Sequence, residues 1–194
     1  MSNTYSNRPA ALREWAVAVK ALKEGRMIVA LRKGGIAEET RDFKLISKGF
    51  YLLPGYEHQK PELLKEEYRG GIAETLADWR PDSGTVTIDV YAEAEEDIEI
   101  RDQQTLNKLR DFHIWTDTFA EERLRWKRTK PLHLLLLRVY TLETPAVMPL
   151  RDSYAGCKSW VALEDPLPES PRIPVLTDER FARAAAGIKE ALSR

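Results

Sequence analysis

Cysteine is almost missing from this chain. Cys157 is the one cysteine in 194 residues, which excludes an intrachain disulfide and fits a reducing, cytoplasmic compartment. Histidine is scarce as well, with three copies. None stands in an H-E-x-x-H or beside a C-x-x-C pair, so no metal site and no cofactor is expected. An excess of one charge sign is also lacking: 30 Lys and Arg face 31 Asp and Glu, a formal net charge of −1. Bulk attraction to nucleic acid or to an anionic membrane is thereby excluded, and any such partner needs a local patch. The apolar runs 28–31 and 134–137 fall far short of the ~20 residues that cross a bilayer, and residues 1–8 have no apolar stretch of a signal peptide. No membrane association is expected. Internal repeats and low-complexity tracts are absent too.

What is present alternates between helical and strand patterning. Pro9 opens a predicted helix on which Leu12, Trp15, Ala16, Val19 and Leu22 share a face, with Gly25 just past its end. Residues 27–31 read as a strand closed by Gly34-Gly35, and residues 50–53 as another closed by Pro54-Gly55. Pro61 opens a helix that Gly70-Gly71 interrupts. Val86, Ile88, Val90, Ala92 and Ala94 alternate with polar residues, a half-buried strand that Ile98 and Ile100 prolong beyond a bulge or turn. Asp102 and Asp117 read as caps of two short helices. Residues 132–142, apolar on both faces at first, predict a central strand, followed by a proline-bearing connection over 143–153 and a short strand over 160–163. Pro166, Pro168, Pro171 and Pro174 mark a linker, and Thr177 caps a last helix.

The expectation is therefore an α+β fold with a mixed, mainly antiparallel sheet of about five strands flanked by helices. Residues 1–8 form a disordered lead-in, 9–163 a single α+β domain, 164–176 a Pro-rich linker and 177–194 a C-terminal helix.

Four clusters bear on chemistry. In Arg32-Lys33-Gly34-Gly35, two cations precede two glycines whose backbone N–H groups can approach an anion closely. The spacing is neither a phosphate-binding Walker loop nor a dinucleotide fingerprint, and a solvated hairpin turn explains the same letters. Glu57-His58-Gln59 and His113-Ile114-Trp115-Thr116 place histidines beside polar partners in loops, where imidazole can act as acid, base or ligand or simply bond a carbonyl. Arg138 lies within the most apolar strand and needs a carboxylate, with Asp89 or Glu93 as candidates, or a ligand anion. Cys157 beside Lys158 raises a Cys–His hydrolase, although a lone cysteine is more often a small packing residue.

Two further features are weaker. Asp89, Glu93 and Glu95 share a strand face, but no lysine follows two residues after an acid as a metal-dependent nuclease core requires. Trp126 among Arg123, Arg125, Lys127 and Arg128 is a local basic-aromatic patch able to stack a base, or simply a charged helix end.

Glu14-Trp15-Ala16-Val17, Leu31-Arg32-Lys33-Gly34-Gly35-Ile36, Glu57-His58-Gln59, His113-Ile114-Trp115-Thr116, Leu137-Arg138-Val139-Tyr140 and Tyr154-Ala155-Gly156-Cys157-Lys158-Ser159-Trp160 together resemble the bacterial family designated domain of unknown function 1802. The resemblance spans residue 14 to about 163 and implies a single domain; it carries no activity with it. Residues 164–194 lie outside it.

The leading expectation is a binding or regulatory module with a cationic pocket for an anionic ligand, nucleic acid or a nucleotide among the candidates. Arg32, Lys33, Arg123 and Arg138 supply charge, Gly34 and Gly35 the close backbone approach, His58 and Trp115 the wall. The competing expectation is a hydrolase or nuclease using His58 or His113, with Glu57 or Asp89 and a metal. A third is a scaffold for a protein partner that the sequence does not identify.

Overall fold

The computed structural model describes residues 7–33, 43–156 and 158–194. In chain order these carry β1 (Ala10–Trp15), α1 (Ala16–Lys23), β2 (Val29–Arg32), β3 (Gly49–Gly55), α2 (Glu66–Leu76), β4 (Thr85–Ile100), α3 (Gln103–Lys108), α4 (Asp117–Arg125), β5 (Leu132–Pro149), β6 (Trp160–Ala162), β7 (Arg172–Pro174) and α5 (Asp178–Ser193). The strands form one sheet in the order β2-β5-β4-β3-β1-β6, with β7 beside β5. All pairings are antiparallel except β1 with β3. The α+β, mainly antiparallel class is as expected, with seven strands rather than about five.

The two additional strands have physical explanations. Residues 10–15, expected as the start of a helix, are β1. Its Ala10 and Leu12 enter the main core while Ala11 enters a smaller cluster with Leu53, Ile88 and Tyr154. Both faces are apolar, so the period-two signal vanishes and chance three-residue spacing reads as helix. The helix proper starts at Ala16. β7 lies inside the stretch expected as a linker: residues 172–174 pair with 140–142, and the adjoining Val175 donates its N–H to the Val139 carbonyl. Prolines are tolerated there because β7 lies off the main path of the sheet, at an edge.

β4 and β5 are the spine. Their ladder runs from Thr85 opposite Pro149 to Ile100 opposite Leu132, with register shifts at Ile88/Val90 and Ala94/Glu96. The second shift lies where a bulge or a turn is expected before Ile98, and it is an irregularity within a continuous strand. At the first, Val90 faces Thr141 but Ile88 faces Ala146, so residues 142–145 bow outward. This is how Pro145, lacking an N–H, fits inside a strand that runs on through the expected 143–153 connection. Glu143 and Thr144 turn their N–H groups to the Pro171 carbonyl and Ser170 Oγ.

Helices cover the faces. α1 buries Val17, Ala18, Ala21 and Leu22 and ends as Gly25 predicts: φ is +68° there, and the Gly25 and Arg26 N–H groups return to the Leu22 and Ala21 carbonyls. At its start, Gln59 Oε1 from a distant loop accepts the Val17 N–H at 2.8 Å. α2 runs unbroken through Gly70-Gly71, against the expected interruption, and the missing side chain of Gly71 leaves room for Val17. Thr116, not Asp117, caps α4 through the Phe119 N–H; Asp102 and Thr177 cap α3 and α5 as expected. Among the described residues no helix is long and apolar enough to cross a membrane.

A tyrosine row crosses the sheet. Tyr51 of β3 stands opposite Tyr91 of β4, which stands opposite Tyr140 of β5, and Arg172 lies 3.5 Å over the Tyr91 ring. Gly49 makes the row fit, since a Cβ there would sit 1.9 Å from Tyr91 Oη. Gly49→Ala is expected to destabilise the fold by about 1–3 kcal/mol through overpacking. Chemical denaturation of Gly49→Ala combined with Tyr91→Phe should recover part of that loss; no recovery would show that the hydroxyl is not the obstacle.

Candidate anion-binding site

The ends of β1 and β3, the parallel pair, lie side by side with Trp15 opposite Gly55. A recess of about 350 Å³ opens here. β1 supplies Arg13, Glu14 and Trp15, β2 and the next residue supply Arg32 and Lys33, and the loop after β3 supplies Glu57 and His58. The last turn of α4 adds Arg123, with Trp126 just beyond it, and Lys158 comes from the segment before β6.

The charge balance in the recess differs from that of the chain. Five cations (Arg13, Arg32, Lys33, Arg123, Lys158) line it against two carboxylates, Glu14 and Glu57. The buried part keeps an excess of cations. Arg32 is 9% exposed and its ion pair with Glu14 is long, at 3.5 Å. Glu14 also accepts the Trp15 N–H. Arg123 is pushed below the ordinary guanidinium value by burial and then by the charge of Arg32, with Glu14 opposing. Two guanidiniums thus share one carboxylate in a poorly solvated place, where an unmatched charge costs several kcal/mol (order of magnitude). Arg32 Nε is, among the described residues, the buried side-chain polar atom with no hydrogen-bond partner, whereas buried donors are ordinarily satisfied.

The surrounding groups are held from behind. Trp115 stacks on Phe119 at 4.4 Å and meets Trp15 edge-on at 5.0 Å, and Arg123 lies 4.9 Å over Phe119. Lys33 donates to the Leu124 carbonyl at 2.5 Å, and burial lowers its pKa. Gln59, by capping α1, anchors the loop bearing Glu57 and His58. His58 has φ +65°, left-handed backbone that costs a residue with a Cβ about 1–2 kcal/mol. Trp126 remains 38% exposed.

Of the residues singled out in the sequence, Arg32, Lys33, Glu57, His58 and Arg123 come together here. Trp115 stands one layer behind the wall. Arg138 lies elsewhere: although Glu93 is its cross-strand neighbour, it pairs with Asp178 at 2.6 Å and sits over Phe181, tying α5 to the sheet. Asp89 is paired with Lys23. Gly34, Gly35 and Cys157 lie outside the described residues. Glu14, Trp15 and Lys158 are not among the site residues expected from the sequence. Nothing in their spacing marks them as neighbours of Arg32, because β1, β2 and the segment before β6 are far apart in the chain and meet only in the folded molecule. His113 is buried away from the recess, where its Nδ1 accepts the Trp115 N–H at 3.2 Å and its carbonyl takes a bond from Lys65 Nζ.

Fold and site together define an α+β domain of one mainly antiparallel sheet with a cationic recess at its parallel corner. The chain belongs to the family described as Domain of unknown function (DUF1802), which matches residues 11–187. The match extends past the expected limit near 163 and takes in β7 and most of α5. No curated protein matches the chain. Solved structures with some likeness include the ASCH protein from Zymomonas mobilis and its serine-to-alanine mutant. Each is 13% identical over 81% of this chain, with a TM-score of 0.47, and the match covers 88% and 89% of those chains respectively.

Burial lowers the His113 pKa to about 4, with Lys65 adding to the effect. The unfolded chain therefore binds more protons than the folded one between pH 6.5 and about 4. Stability from this group is complete above pH 6.5 and is lost as pH falls toward 4, by on the order of 3 kcal/mol in total. Urea midpoints measured from pH 7 to pH 4 should fall less steeply in His113→Gln than in the wild type. Parallel slopes would rule out a buried neutral imidazole.

Proposed function

We propose that the recess binds a phosphate-bearing anion, a nucleotide or one nucleotide unit of a nucleic acid, in a cytoplasmic binding module. The observation carrying this reading is the under-satisfied guanidinium of Arg32: a buried Nε–H without acceptor and a long ion pair to Glu14, whose charge a second guanidinium also feels. A phosphate oxygen supplies the missing acceptor and the missing charge, and guanidiniums bind it through paired hydrogen bonds. Lys158 at the rim adds charge. The exposed Trp126 ring offers a face for a base, and 350 Å³ lies within the range of small-ligand pockets. His58 and Glu57 stand at the same rim, so the titration is also scored for ligand breakdown.

Thermal melts in rising concentrations of adenosine monophosphate, against chloride at equal ionic strength, test the reading. Wild-type Tm should rise with the logarithm of ligand concentration. Arg123→Gln should keep its unliganded Tm within about 2 °C and bind at least tenfold more weakly, about 1.4 kcal/mol. A Tm indifferent to the nucleotide, or equal affinity in the variant, would overturn it.

A further inference from the structure

We infer that the ligand of this surface is an extended single strand of nucleic acid, which continues from the recess into an adjoining groove. The inference rests on the preceding reading and names its substrate class. The groove, about 570 Å³, shares Lys33 with the recess and adds four cations, Lys44, Arg101, Lys127 and Lys130. Against them stand two acids, Glu99 paired with Arg101 at 2.5 Å and Asp97 bonded to His133 at 2.7 Å, so the added cations exceed the acids by two. Recess and groove together form a basic track on a chain whose net charge is −1.

Backbone geometry joins the two. α4 ends at Arg125, and Trp126 is extended and lines the recess. Lys127 then takes φ +48°, its Nζ 4.5 Å over the Trp126 ring, and lines the groove. His58 and Lys127 are the non-glycine residues with positive φ among those described, and both line this track. Backbone strain of this kind collects where a chain is held for binding. The strand must be unpaired. A base can stack on Trp126, and a phosphate can reach Arg32 at 9% exposure, only if no second strand occupies the space.

The test uses fluorescence anisotropy with labelled oligonucleotides of one to eight units, as RNA and as DNA, with an eight-pair duplex and heparin for comparison. Affinity for single strands should climb steeply to about four to six nucleotides and then level. The salt slope should be about −0.7 per phosphate held. Lys44→Glu with Lys130→Glu, both exposed positions, should weaken the octamer at least tenfold and leave adenosine monophosphate binding unchanged. Arg123→Gln should weaken both. An octamer indifferent to the double charge reversal but sensitive to Arg123→Gln overturns the track and leaves the recess. Indifference of both ligands to Arg123→Gln overturns the recess itself. Duplex or heparin binding as tight as the octamer's marks a general polyanion or acidic-partner surface and also overturns the inference.

Discussion

The β4–β5 ladder is the constraint on which the molecule depends. β5 is buried along most of Leu132–Val139, and it can be so only because β4 accepts its hydrogen bonds on one side while β2 and β7 share the other. An unpaired backbone in that position would cost more than the leucines return. The two irregularities of the ladder are therefore placed where they do least harm. One lies at Ala94/Glu96, and the other takes up Pro145 and hands the freed N–H groups of 143 and 144 to residues 170–171.

In the recess the opposite rule holds. Around Glu14, Arg32 and Arg123 the protein has placed more buried charge than it neutralises, and it backs the arrangement with a packed aromatic layer of Trp15, Trp115 and Phe119. A structural ion pair would satisfy itself, as Arg138 does with Asp178 and as Arg151 does with Asp165 through two hydrogen bonds. The contrast separates cations that hold the fold from cations that the fold holds ready. Arg138 reads like Arg32 in the sequence, each a cation in an apolar strand. What distinguishes them is that Arg138 holds Asp178 at 2.6 Å, whereas Arg32 reaches Glu14 only at 3.5 Å and shares its charge with Arg123.

The histidines divide in the same way. His113 is sealed, kept neutral by burial, with its Nδ1 taken by the Trp115 N–H and its carbonyl by Lys65 Nζ. His58 is exposed at the recess rim on strained backbone. Both stood in predicted loops, so local pattern gave them equal standing. Burial, which decides what an imidazole can do, is a property of distant segments.

Sequence by itself determined the local items: the alternation of β4, the double-faced apolarity of β5, the caps at Asp102 and Thr177, the left-handed stop at Gly25, and the grouping of Arg32 with Lys33. Each depends on residues a few positions apart, whose spacing carries its own physics. Tertiary structure alone decided that residues 10–15 are a strand, that a proline-rich stretch adds a seventh, and that Glu14 faces Arg32 and Arg123 while Arg138 is claimed by Asp178. Those outcomes turn on pairing and charge compensation between segments far apart in the chain, and such contacts leave no period in the sequence to read.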